Sequence, residues 1–174
     1  MRLFFALRPK ADTRARIARM ASECGIDADR LTPAANLHLT LQFLGEVDAV
    51  TRIALTRAGG RIRAPAFALT LSRAGLWRRA GVAWLAPATI PAALVRLAHD
   101  LHAISTTLGI ADEPRPFTPH VTLARRARTP PRLPGEWSIE WQVTDFALVS
   151  SRTLAGGADY EVVETWPLAT AASD

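Results

Sequence analysis

The residues best equipped for chemistry come in two copies of one pattern, His38-Leu39-Thr40-Leu41 and His120-Val121-Thr122-Leu123. Each sets a histidine and a threonine two residues apart, with aliphatic residues between and after them. In a β-strand this spacing turns both polar side chains to one face and both aliphatics to the other. Each copy therefore predicts a strand with an apolar back and an imidazole plus a hydroxyl on its outer face. Two such strands brought together offer two histidines and two hydroxyls around one small site. That set suits acid–base chemistry on an anionic phosphate. The chain has four histidines, so half of them carry the pattern.

The elements that must hold these strands are readable from periodicity. Leu3, Phe5 and Leu7 alternate over residues 2–8, a first strand. Pro9 opens a helix over 10–24, with Ile17, Met20, Ala21 and Cys24 on one stripe. The first motif strand runs from Asn36 to Leu44, with Leu37, Leu39, Leu41 and Phe43 inward and His38, Thr40 and Gln42 outward. Asp48 is a good N-cap for a helix reaching about Ile62. Phe67, Leu69 and Leu71 mark a strand, joined as a hairpin to Val82–Ala86 through Arg78-Arg79-Ala80-Gly81. Leu94, Leu97, Leu101, Ile104 and Leu108 recur at helical spacing, and Gly109 stops that helix. Pro114, Pro116 and Pro119 stiffen the approach to the second motif strand, 120–125. Residues 137–148 alternate with one slip of phase, which predicts one strand bulged near Thr144–Asp145. Tyr160–Trp166 makes a last strand. Strands, helices and hairpins in this order predict an α+β architecture, with residues 1–174 as one domain.

Composition narrows the class. Of 174 residues, 49% are apolar, which excludes disorder. The net charge is +5, and of the 21 basic residues only Lys10 is lysine; arginine's planar fork suits phosphate. No apolar run approaches the ~20 residues of a membrane span. The single cysteine cannot form an internal disulfide, and no secretory leader precedes the first strand, so the expected compartment is the cytoplasm. His99 and His102 lie off the helical stripe and have no matching ligand cluster. No P-loop or dinucleotide fingerprint is present, so neither metal nor cofactor is expected.

The paired H-x-T-x motifs, some eighty residues apart in a chain of this size, resemble the two-histidine (2H) phosphoesterase superfamily. Within it, Arg2–Leu7, Asn36–Val47, Arg115–Arg125 and Tyr160–Leu168 are similar to the RNA 2′,3′-cyclic phosphodiesterases, first described as 2′-5′ RNA ligases. The resemblance implies a two-lobed α+β fold with pseudo-twofold symmetry, its antiparallel strands set around a central cleft. It implies metal-independent hydrolysis of RNA 2′,3′-cyclic phosphate to a 2′-phosphate; a monomer is expected. His38 would be the proton donor and His120 the acceptor, with Thr40 and Thr122 on the phosphate and Arg125 near the substrate. Strand parity, however, turns Arg125 away from His120 and makes Arg126 the alternative. Other readings are 2′-5′ RNA ligation, hydrolysis of another cyclic nucleotide or oligoadenylate, and an RNA-end-binding module without turnover.

Overall fold

The computed structural model describes residues 1–110, 116–154 and 157–169. Pro114 and Arg115 lie outside them. Strand β1 (Arg2–Leu7) is buried from Leu3 through Leu7, not on alternate residues only. The reason is its central place between β3 (Leu39–Glu46) and β8 (Asp145–Leu154), both antiparallel to it. Leu3, Phe5 and Leu7 enter the main core, while Phe4 and Ala6 pack with Ala147 and Val149 on the opposite face.

Helices cover the core face. Helix α1 (Ala11–Glu23) buries Ile17, Met20 and Ala21, followed by Cys24. Helix α2 (Ala49–Gly59) starts where Asp48 accepts a 2.7 Å hydrogen bond from the Thr51 backbone N–H. It stops short of Ile62 at Gly59-Gly60. Gly59 is pressed against Trp166, which would lie 2.8 Å from an added Cβ. Helix α3 (Ala92–Thr107) buries Leu94, Leu97 and Leu101.

Among the described residues the strands form one sheet in the order β7-β4-β5-β6-β3-β1-β8-β9, with β2 beside β6. The remaining strands are β2 (Ala28–Leu31), β4 (Phe67–Trp77), β5 (Val82–Pro87), β6 (Val121–Ala127), β7 (Ile139–Val143) and β9 (Gly157–Pro167). The sheet has two four-strand halves, β7-β4-β5-β6 and β3-β1-β8-β9, with a motif strand on the inner edge of each. This is the expected two-lobed α+β arrangement.

Two expectations fail here. Residues 137–148 are two strands, because β7 pairs with β4 while β8 pairs with β1 and β9. The slip of phase at Thr144 is the chain crossing from one lobe to the other, and the Thr144 carbonyl accepts from Leu168 N at 2.8 Å. The first motif strand also fails to alternate past Gln42. Its register with β1 steps from Ala6↔Thr40 to Phe5↔Gln42, and from Phe4↔Phe43 to Leu3↔Gly45. Each step is a bulge that holds one extra residue, Leu41 and then Leu44. Phe43 consequently leaves the core and shares a face with Phe4 and Thr40. It is 50% exposed, with the Arg2 guanidinium 4.9 Å from its ring centre. Strand β2 has no counterpart among the expected elements, since Ala-Asp-Arg-Leu carries no strand-like pattern.

Candidate active site

The two motif strands meet at the centre of the sheet. Among the described residues the only registered pair between β3 and β6 is Leu39↔Val121, and both side chains are fully buried. Core-facing Leu39 and Val121 leave His38, Thr40, His120 and Thr122 on the opposite face. Continuing the antiparallel register by one residue each way sets His38 across from Thr122 and Thr40 across from His120. Each imidazole thus shares a rung with the hydroxyl of the other motif. The Tyr160, Phe4, Trp77 and Trp84 rings line this same face.

Both imidazoles are held in the same way. The Nδ1–H of His38 donates to the carbonyl of Asn36 at 2.6 Å, and that of His120 to the carbonyl of Thr118 at 2.8 Å. A carbonyl only accepts, so Nδ1 carries the hydrogen and Nε2 is left to exchange a proton. Asn36 closes the one-turn 3₁₀ helix Ala34–Asn36, so the carbonyl that orients His38 projects from a turn rather than from a strand. Its side-chain Nδ2 donates to Ala158 O on β9 at 2.8 Å, which ties the turn to the far strand of the lobe.

Aromatic rings fix the imidazole planes. Tyr160 stands edge-on to His38 with centroids 5.1 Å apart, and Phe4 lies 4.9 Å away. In the other lobe Trp77 stands edge-on to His120 at 4.5 Å and leans on Trp84 at 5.6 Å. Trp84 pairs with Thr122 across β5 and β6. It fits because Gly75 has no side chain; an added Cβ there would meet the indole at 2.3 Å. Sequence reasoning singles out none of these aromatic neighbours. For Trp77 a trace exists in the sequence, a large ring at the last position before the Arg78–Gly81 turn.

Burial pushes the His38 imidazole down to about 4, opposed by its bond to Asn36 and assisted by the positive fields of His120, Arg125 and Arg8. His120 is lowered too, chiefly by burial, then by Arg125, against the pull of Thr118. With the protein's own groups alone around it, His38 is therefore neutral at neutral pH. A bound anion acts in the opposite sense, because negative charge beside an imidazole favours its protonated form. An anionic substrate would thus help to install the proton that an acid at His38 needs.

The parity argument about Arg125 is overturned by a third bulge, this one in β6. Register with β5 steps from Trp84↔Thr122 to Ala83↔Ala124, which leaves Leu123 as the extra residue. Val82 then faces Arg125, and since Val82 and Trp84 share one face of β5, Arg125 shares the face of Thr122. The field of Arg125 reaches both histidines. Arg126, the expected alternative, adopts φ 52° and pairs with Asp29 at 3.8 Å instead. His99 is exposed beside Asp100. Among the described residues no group of three or more His, Cys, Asp or Glu side chains is placed to hold a metal.

The sequence profile of the 2′-5′ RNA ligase superfamily matches residues 9–154 of the chain. The chain belongs to this superfamily. It is 40% identical to the RNA 2′,3′-cyclic phosphodiesterase of Escherichia coli strain K12 over 171 residues, which cover 96% of each chain. The RNA 2′,3′-cyclic phosphodiesterase of Thermus thermophilus is 35% identical, over 97% of this chain and 90% of its own. The crystal structure of E. coli LigT complexed with 3′-AMP superimposes with a TM-score of 0.84 at 40% identity, covering 96% of this chain and 97% of that one. In this chain the two H-x-T-x motifs lie at the inner strands of a two-lobed sheet.

Proposed function

We propose that this member of the superfamily hydrolyses RNA 2′,3′-cyclic phosphate ends to 2′-phosphomonoesters, by acid–base catalysis through its two motif histidines. The observation that carries the reading is the pair of Nε2 atoms freed by identical Nδ1–H bonds, one on each side of the Leu39↔Val121 seam. Near-full-length similarity to the two bacterial phosphodiesterases supports the substrate class.

Water is a poor nucleophile near neutral pH and an alkoxide a poor leaving group. Neutral His120 takes a proton from the attacking water at Nε2. Protonated His38 gives its Nε2 proton to the departing 3′ oxygen, which leaves the phosphate on the 2′ oxygen. The Thr40 and Thr122 hydroxyls, with Arg125, hold the phosphoryl oxygens as charge builds on them. Burial and the neighbouring positive groups oppose a charged His38, so the substrate phosphate draws that proton onto the site as it binds. The chemistry uses no metal. We read residues 1–174 as one domain acting as a monomer. No helix among the described residues is long and apolar enough to cross a membrane, and with its lone cysteine buried we place the protein in the cytoplasm.

A panel of nucleoside 2′,3′-cyclic phosphates tests this, with the product isomer identified by phosphorus NMR. Turnover to 2′-monophosphate is expected. Binding without turnover would replace the reading with an RNA-end-binding module, and a 3′-monophosphate product would reverse the orientation of the substrate.

A further inference from the structure

Strand β6 has two edges. One pairs with β5 from Val121 to Arg125; the other touches β3 at Val121 and then β2 from Ala124 onward. Strand β2 therefore begins where the two lobes part. Its register sets Arg30 directly opposite Arg125. Directly opposed residues of an antiparallel pair project from the same face, and like charges placed so destabilise it. Arg30 thus shares the face of Arg125, Thr122 and His120.

The neighbouring arginines are neutralised and this pair is not. Arg126 meets Asp29 at 3.8 Å, and Arg128 meets Asp27 at 2.8 Å and Asp29 as well. Among the described residues no carboxylate forms an ion pair with Arg30 or Arg125. Both acids of this segment, Asp27 and Asp29, are committed to Arg126 and Arg128. Two opposed, uncompensated guanidinium groups on the face that carries the motif histidines make a site for an anion, and the planar fork fits phosphate oxygens.

We propose that Arg30, beside Arg125, forms a second phosphate subsite that holds the phosphodiester immediately upstream of the terminal cyclic phosphate in an RNA chain. The proposal rests on the hydrolase reading above. Thr122 and Arg125 stand two paired positions apart, roughly 7 Å along the strand, and Arg30 lies one strand across from Arg125, on the edge of β6 away from β5. A second phosphate of an extended nucleotide chain reaches it. The subsite would favour chain ends over free mononucleotides.

The test compares wild type with Arg30→Gln, Arg30→Lys and, as a distant loss of the same charge, Arg57→Gln. The substrates are a nucleoside 2′,3′-cyclic phosphate and a tetranucleotide with a terminal 2′,3′-cyclic phosphate. Arg30→Gln is expected to raise KM for the tetranucleotide roughly tenfold with kcat unchanged, and to leave the mononucleotide within about twofold. The slope of log kcat/KM against log salt should flatten by about 0.7 for the tetranucleotide only, one phosphate contact on a single strand. Arg30→Lys should restore part of the loss, and Arg57→Gln should resemble wild type. Equal losses on both substrates, or none on the tetranucleotide, would overturn the subsite while the hydrolase stands. If wild type turns over neither substrate, the hydrolase reading fails. Equilibrium binding of a labelled tetranucleotide 2′-phosphate then decides the subsite: Arg30→Gln must weaken it relative to a mononucleoside 2′-phosphate, and equal affinities would end the proposal.

Discussion

Leu39 and Val121, each fully buried, lock the inner edges of the two lobes together at one rung, and each is the residue that follows a motif histidine. The spacing of the two imidazoles is therefore set by apolar packing directly beneath them. Replacing Val121 by Ala removes two methyl groups from that seam and should destabilise the protein by about 1–3 kcal/mol. A larger fractional loss of kcat than of KM would show that the spacing of the histidines had changed.

His38→Ala and His120→Ala should each lower kcat by ~10²–10⁴-fold with the fold retained, as expected for a lost general acid or base. The double variant should be little worse than either single one, because both groups serve one step. Near wild-type turnover in either single variant would remove the two-histidine mechanism.

Arg125→Gln should reduce kcat/KM by about ten- to a hundredfold, since a hydrogen bond to a charged group is worth roughly 1.5–3 kcal/mol. Arg126→Gln should stay within about twofold. The opposite ranking would mean that the bulge at Leu123 does not turn Arg125 into the cleft in solution.

Stability should depend on pH through His38. Its folded value lies near 4, below the ordinary 6.5, so the unfolded chain takes up the proton first as pH falls. Stability is full above about 6.5, declines between 6.5 and 4, and is not reduced further by this group below that. The loss is on the order of 3 kcal/mol at most. Urea unfolding of wild type and His38→Leu across this range isolates it. Wild type should lose stability relative to the variant as pH falls, and a constant difference would mean that the fold does not hold the ring neutral. Phosphate ions in the cleft should oppose the acid loss by favouring the protonated ring.

Catalysis should follow a bell in pH, because the proposed mechanism needs one histidine charged and the other neutral. The depressed values of the free enzyme place the kcat/KM bell toward acid, and the substrate phosphate should move the kcat bell to higher pH where chemistry limits turnover. A profile without a descending alkaline limb would leave His38 without an acid role.

The polar half of the site was legible in the sequence because alternation makes it so: a histidine and a threonine two apart, backed by aliphatics, have one sensible place on a half-buried strand. The bulges were not legible. Leu41, Leu44 and Leu123 are ordinary aliphatic residues, and nothing in their type says that each is extra in its strand. Parity counted through them assigns Phe43 to the core and Arg125 to the wrong face. Strand β2 escaped for another reason, since its pairing with β6 is decided by the partner and not by its own residues. The crossing at Thr144 failed similarly, because a local change of phase does not reveal that the two segments lie at different ends of the sheet.

The unequal layout of the two lobes along the chain bears on synthesis. One lobe, β4 to β7, is a continuous stretch, residues 67–143, and has all its strands as soon as that stretch is made. The other surrounds it: β1 and β3 come first, but β8 and β9 follow only after residue 144. Until then the edge of β1 that awaits β8, with its run of buried residues from Leu3 to Leu7, has no partner in the sheet. Unpaired apolar edges invite association with other chains, so the vulnerable interval of translation covers most of the protein's length. His38 is made long before His120, yet its wall of Tyr160 and the anchor at Ala158 come from the last strand to be made. The first histidine to leave the ribosome is the last to be seated.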